Sequence, residues 1–126
     1  MEHINCPFRN EKDEEVVLKN DLCFARFDRY PVNKGHLLII TFRHFDNYFN
    51  ATHKEKISLI DLIEKSKDFL LQNFNPDGFN IGINCGEPAG QTIMHFHCHI
   101  IPRYRGDIEN PRGGVRGVIP SKMNYK

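Results

Sequence analysis

Apolar and polar positions along this chain change rhythm several times, and each change marks an element. Val16-Val17-Leu18 and Leu22-Cys23-Phe24-Ala25-Arg26-Phe27 read as two strands, with Asn20-Asp21 between them as the tight turn of a hairpin. Pro31 to Gly35 reads as a turn, and the apolar run from His36 to Phe42 as a buried strand. Thr52 and Glu55 form a capping box, predicting a helix that runs to about Phe74. On that helix Lys54, Ser58, Asp61, Lys65, Asp68 and Gln72 form a polar stripe. Leu59, Ile60, Ile63, Leu70, Leu71 and Phe74 are expected to pack on a sheet. Asn75-Pro76-Asp77-Gly78 stops the helix, and Phe79 to Asn84 alternates as a further strand.

The last periodic stretch is Gln91-Thr92-Ile93-Met94-His95-Phe96-His97-Cys98-His99-Ile100-Ile101-Pro102. Successive side chains of a strand point to opposite faces, so His95, His97 and His99 are predicted to share one face. Phe96, Cys98 and Ile100 would then point into a core. Pro102, which cannot donate to a ladder, would mark where regular pairing stops. The order of elements predicts an α+β domain, with a five-stranded antiparallel sheet and one long helix packed on it.

Composition narrows the function classes. With 126 residues the chain is expected to be one domain, 1–126, with a polar N-terminal arm over about 1–15 and a basic tail over about 103–126. A net charge of +1 gives no global push toward nucleic acid or a membrane, and neither is expected as a partner. From Arg103 onward, however, six basic residues face two acidic ones, a distribution suited to a polyphosphate or simply to a solvated tail. No apolar run approaches membrane length, and the start Met-Glu-His-Ile-Asn has no signal-peptide pattern. Cys6, Cys23, Cys85 and Cys98 show no disulfide-framework spacing, which fits reduced thiols in a cytoplasmic protein.

Three imidazoles in register on one strand face read as a site. At about 3.3 Å rise per residue the neighbouring histidines are roughly 6.6 Å apart and the outer pair roughly 13 Å apart. Three from one straight strand therefore do not share a zinc, whose bonds to nitrogen are about 2.0–2.1 Å. No metal and no cofactor are expected. A neutral imidazole is a competent nucleophile near pH 7, its unperturbed pKa being about 6.5, and the central His97 has an imidazole on each side. Gly90, ahead of Gln91-Thr92, permits a close backbone approach of the kind phosphate sites use.

The His-apolar-His-apolar-His-apolar-apolar pattern, preceded by Gly90-Gln91-Thr92, resembles the histidine triad superfamily of nucleotide hydrolases and transferases. Pro102-Arg103-Tyr104-Arg105-Gly106-Asp107 and the stretch Asn110 to Arg116 are similar to its branch of diadenosine polyphosphate hydrolases and fragile histidine triad proteins. The resemblance spans about Phe24 to Pro120, with Cys98 standing where the family has an aliphatic residue. It implies a homodimer that extends the sheet, and a nucleotide substrate. It implies further that His97 attacks the α-phosphate, while His95, His99, His36, Gln91 and Thr92 donate to phosphate oxygens. Asp28 would bind the ribose hydroxyls, its alternative being an exposed turn carboxylate, and Asn84 would contact phosphate or ribose. The base would lie near Phe8 and Arg26. Some members carry Cys-x-x-Cys as half of a structural zinc site. Here Arg9 replaces the second cysteine, so the expectation is that this four-ligand site is lost.

The reading is thus a nucleotidyl hydrolase that cleaves dinucleoside polyphosphates, or related nucleotides, through a nucleotidyl-histidine. Two alternatives stay open: a nucleotide-binding regulatory module with slow turnover, and a nucleoside phosphoramidase.

Overall fold

A computed structural model describes residues 6–8 and 14–125. The sheet is built from β1 (Val16–Lys19), β2 (Cys23–Phe27), β3 (Leu37–Thr41), β4 (Gly78–Gly82) and β5 (His97–Arg103), in the order β1-β2-β3-β5-β4 with every neighbouring pair antiparallel. One long helix, α1 (His53–Asn73), packs on it. This is the expected α+β architecture. No helix among the described residues is long and apolar enough to cross a membrane.

Side-chain alternation gives the sheet two buried faces. Cys23 and Ala25 of β2, Leu37 and Ile39 of β3, and Cys98 and Ile100 of β5 meet Leu59, Leu62 and Leu70 of α1 in the main core. The intervening residues, Phe24, Leu38 and Ile40, form a smaller core on the other face with Phe8. His97 and His99 stand on that second face, so the site has an apolar floor on the side of the sheet away from the helix.

The capping box forms in full. Thr52 Oγ1 accepts from Glu55 N–H at 3.1 Å, and Glu55 Oε1 accepts from Thr52 N–H at 2.8 Å. The helix presents a different stripe from the one expected. Glu55, Ser58, Leu59, Leu62, Ser66 and Leu70 are buried, whereas Ile60 is 61% and Leu71 43% exposed. Two polar groups explain the rotation. Ser58 donates to Asn20 Oδ1 at 2.6 Å, and Glu55 accepts from Arg43 at 2.9 and 3.0 Å, so both lie on the sheet side at little cost.

The histidine strand also differs from expectation at both ends. Regular pairing begins at His97, after a bend over Ile93–His95, so His95 is outside the strand. Pro102 does not stop the pairing: it is buried within β5, opposite Phe79 of β4. The β3 ladder has already ended at Ile100, so the proline sits where one flank has no strand to receive an N–H.

Candidate active site

Three turns and two strands bring the site residues together. Over the second face lies a cavity of about 500 Å³, lined among others by Phe8, Arg26, Asp28, Asn84, Thr92, His97 and His99. The β2–β3 connection supplies Asp28, which accepts from Tyr30 N–H at 2.8 Å as the turn closes. Gly90, at φ 99°, is in the left-handed region that favours glycine, and the loop it ends sets Asn84 and Thr92 on the cavity wall. Phe8 packs edge-on against the His97 ring with centroids 4.9 Å apart. Arg26 is buried, paired with Glu15, which also accepts from Arg29 at 3.1 Å.

The hydrogen bonds assign the histidine tautomers. His97 Nδ1 is 2.9 Å from the carbonyl of His95, which only accepts, so Nδ1 carries the proton and Nε2 keeps a free lone pair. His36 Nδ1 accepts from Val32 N–H at 3.0 Å, so its proton is on Nε2. That proton faces His99 Nδ1 at 3.0 Å and Asp28 Oδ2 at 3.4 Å. His99 Nδ1 is then an acceptor and His99 Nε2–H a donor. One lone pair and one N–H are the complementary pair that attack and charge stabilisation require.

Burial is the largest influence on all three rings and disfavours their charged forms. It holds His97 below the usual imidazole range against the pull of the His95 carbonyl and Asp28. His36 is lowered likewise. His99, with His97 and His36 adding to burial, is pushed down to about 4. Neutral imidazoles therefore persist well below pH 7.

Two expected donors are placed elsewhere. The His95 ring is 1% exposed and does not line the cavity. Its Nε2–H donates to the Thr41 carbonyl at 2.7 Å, and its contribution to the site is its own carbonyl, which orients His97. Gln91 is also buried. Its Oε1 accepts from Gly86 N–H at 2.8 Å, and its Nε2 donates to the carbonyls of Asp46 and Ile93 at 2.6 and 3.1 Å, so the amide ties loops together. Of the basic tail, Arg103 forks onto Asp107 through two bonds of 2.8 Å and reaches Asn80 Oδ1 at 2.7 Å, holding the end of β5.

His44 has no distinguishing sequence spacing, yet its Nδ1 is 3.0 Å from His95 Nδ1, and Cys6 Sγ approaches the same nitrogen at 3.4 Å. The ligand atoms of Cys6, His44 and His95 lie within 4.8 Å of one another. A thiol and two imidazoles suit zinc, and the His95 Nε2–H bond to Thr41 is the outer support such ligands use. These three residues would hold the ion and keep the bend before β5 closed. Arg9, on which the expectation of a lost site rests, lies outside the described residues, and a fourth ligand would have to come from something other than a second cysteine.

With this geometry in view, comparisons place the chain among known proteins. The profile of the HIT domain matches residues 9–106. The chain is 35% identical over 98 residues to the AP-4-A phosphorylase of Mycobacterium tuberculosis, covering 75% of this chain and about half the length of that protein. It is 33% identical over 99 residues to the bis(5'-adenosyl)-triphosphatase of Dictyostelium discoideum, covering 79% of this chain and 66% of that protein. Among solved structures, a HIT family protein from Bacillus anthracis aligns with a TM-score of 0.75 at 35% identity, covering 82% of this chain and 77% of the other. The match over most of the chain and the shared fold together establish that this protein belongs to the HIT domain family.

Proposed function

We propose that the protein is a nucleotidyl hydrolase of dinucleoside polyphosphates. The observation that carries the reading is the pairing of a free Nε2 lone pair on His97 with an N–H on His99 inside a cavity of nucleotide size. The names of the mycobacterial and Dictyostelium relatives support the substrate class.

In the first step His97 Nε2 attacks the α-phosphorus, a P–N bond forms, and the P–O bond to the remaining phosphates breaks. His97 Nδ1 keeps its proton on the His95 carbonyl, so the ring becomes a nucleotidyl-imidazolium. His99 Nε2–H donates to the oxygen that takes up charge, with His36 Nε2–H holding the His99 ring in place. In the second step water attacks phosphorus, loses a proton, and breaks the P–N bond to free a nucleoside monophosphate and His97. Asp28 and Asn84 bind ribose and phosphate, Thr92 donates to phosphate, and the base lies between Phe8 and Arg26. His95 and Gln91 act through the groups they hold.

The mycobacterial relative's name favours a second reading, in which inorganic phosphate replaces water in the second step. Chromatography of the products from a panel of dinucleoside polyphosphates tests both. Nucleoside monophosphate formed without added phosphate supports hydrolysis, and nucleoside diphosphate formed only with phosphate supports phosphorolysis. Turnover of nucleoside phosphoramidates alone would contradict both.

A homodimer is part of the reading. β4 is an edge strand with β5 as its neighbour, so its outer N–H and C=O groups are available to a second copy. The four cysteines are free thiols, in keeping with a reducing, cytoplasmic setting.

A further inference from the structure

The connection between β2 and β3 carries two of the groups around His99 and locks them against each other. Asp28 N–H donates to the His36 carbonyl at 2.9 Å, and His36 N–H donates to the Asn33 carbonyl at 3.1 Å. The Asn33 amide donates in turn to the Pro102 carbonyl at 3.1 Å and to Asp107 Oδ2 at 2.7 Å, which ties the connection to the end of β5. Within this frame backbone holds one atom of each side chain. Asp28 Oδ1 accepts from Tyr30 N–H at 2.8 Å, and His36 Nδ1 accepts from Val32 N–H at 3.0 Å. The His36 side chain is 2% exposed and that of Asp28 15%, and of the two only Asp28 lines the cavity where the nucleotide would lie.

The His36 Nε2–H then faces two acceptors at once, His99 Nδ1 at 3.0 Å and Asp28 Oδ2 at 3.4 Å. The ring nitrogen is nearer, but the carboxylate carries the charge, and charge-assisted hydrogen bonds are the stronger ones. His36 cannot turn toward either, because Val32 holds its other nitrogen. How the proton is shared therefore depends on how much of the acceptor strength of Asp28 is taken up elsewhere. Hydroxyl groups donating to Oδ2 take it up.

We infer that Asp28 is a positioning residue for the chemical step as well as a ribose ligand. When the ribose hydroxyls donate to Oδ2, the His36 N–H passes wholly to His99 Nδ1, and the N–H on the far side of the His99 ring becomes a stronger donor to phosphate. The inference rests on the nucleotide reading above and adds that the vicinal diol is read in the rate as well as in the affinity. Hydrogen bonds in a chain polarise one another, so a fuller bond accepted at Nδ1 makes Nε2–H the better donor. No proton is transferred along this chain: each stays on the nitrogen to which its partners assign it. A nucleotide without the hydroxyls would fill the same cavity and react slowly, since Asp28 would keep its share of the His36 proton.

Two measurements on the full chain test this. The first is the single-turnover rate at saturating substrate, for diadenosine tetraphosphate and for its analogue with both riboses 2',3'-dideoxy. Wild-type protein is expected to cleave the analogue about tenfold more slowly, a part of the roughly 10²–10³ lost when such a donor is removed outright. In Asp28→Ala the ratio of the two rates should fall below about twofold, whatever the absolute rates, because the coupled partner is gone. Equal saturating rates in wild type, with only the affinity weakened, would make Asp28 a ribose ligand alone and overturn the coupling. An unchanged ratio in Asp28→Ala would overturn it too. The second measurement needs no variant, and it decides if Asp28→Ala does not fold. It is the scalar coupling across the hydrogen bond from His36 Nε2–H to His99 Nδ1, read by NMR of wild-type protein with isotope-labelled imidazoles. Adenosine monophosphate should strengthen that coupling, and 2',3'-dideoxyadenosine monophosphate should leave it as in the free protein. The same coupling with both ligands would overturn the inference and leave the nucleotide site standing. Failure of wild type to bind either monophosphate or to cleave either substrate would overturn the nucleotide reading itself, and the coupling with it.

Discussion

At the residue scale, the site works by assigning protons. The His95 carbonyl fixes His97, the Val32 N–H fixes His36, and His36 in turn fixes His99, so the lone pair proposed to attack and the N–H proposed to stabilise charge are set before substrate arrives. The period-two spacing made His97 and His99 legible from sequence, because the pleat alone puts both on one face. It did not show that His95 would turn inward: that depends on a bend, the Thr41 carbonyl, and the distant side chains Cys6 and His44. Gln91 was hidden for the same reason, since all its partners are loop backbone. Gln91→Ala should lower stability by on the order of 2 kcal/mol, because it removes three hydrogen bonds by which a buried amide ties loop backbone together. Urea denaturation checks this. Unchanged stability with a raised KM would return Gln91 to direct substrate binding.

The depressed titration of His99 has a pH consequence. In the unfolded chain its imidazole takes up a proton near pH 6.5, and in the folded chain only near pH 4. Above pH 6.5 both states are neutral, and the contribution to stability is whole. As pH falls from about 6.5 toward 4 the unfolded state gains a proton that the native state refuses, so stability declines through that window. The urea midpoint should fall across it, and less steeply in His99→Asn. An identical slope in the variant would contradict the assignment.

At the scale of elements, alternation and capping carried most of the information. Each strand was legible from its period-two or continuous apolar run, and Thr52 with Glu55 marked the helix start as found. The buried helix face was less legible, because hydrophobicity misses polar groups that are satisfied on the sheet side. Ser58 is such a group, whereas Ser66 Oγ is the one buried side-chain polar atom without a hydrogen-bond partner among the described residues. Ser66→Ala removes an unsatisfied hydroxyl and improves helix propensity, so stability should rise by up to about 1 kcal/mol. A loss of more than about 1 kcal/mol in thermal or urea unfolding would mean that the hydroxyl has a partner worth keeping. Pro102 teaches a related point: a proline stops a strand only where a neighbour on the side its N–H would face needs that donor, and here the β3 ladder has already ended at Ile100 while β4 still pairs on the other side.

At the scale of the whole molecule, the two faces of one sheet divide the labour. The helix side gives rigidity through a continuous core, and the opposite side places two histidines above a smaller apolar floor with open cavities. The chain spans about half the length of the mycobacterial relative it matches, so the reaction is argued from this site and not transferred whole. Its central claim is covalent attack by His97. Wild-type protein turning over a dinucleoside polyphosphate, quenched in alkaline denaturant to spare a phosphoramidate, should carry one nucleotide on His97 when the peptide is fragmented in a mass spectrometer. His97→Asn should bind the nucleotide, lose turnover by several orders of magnitude and carry no adduct. An adduct on His95, His99 or His36, or full activity in the His97→Asn protein, would contradict the account.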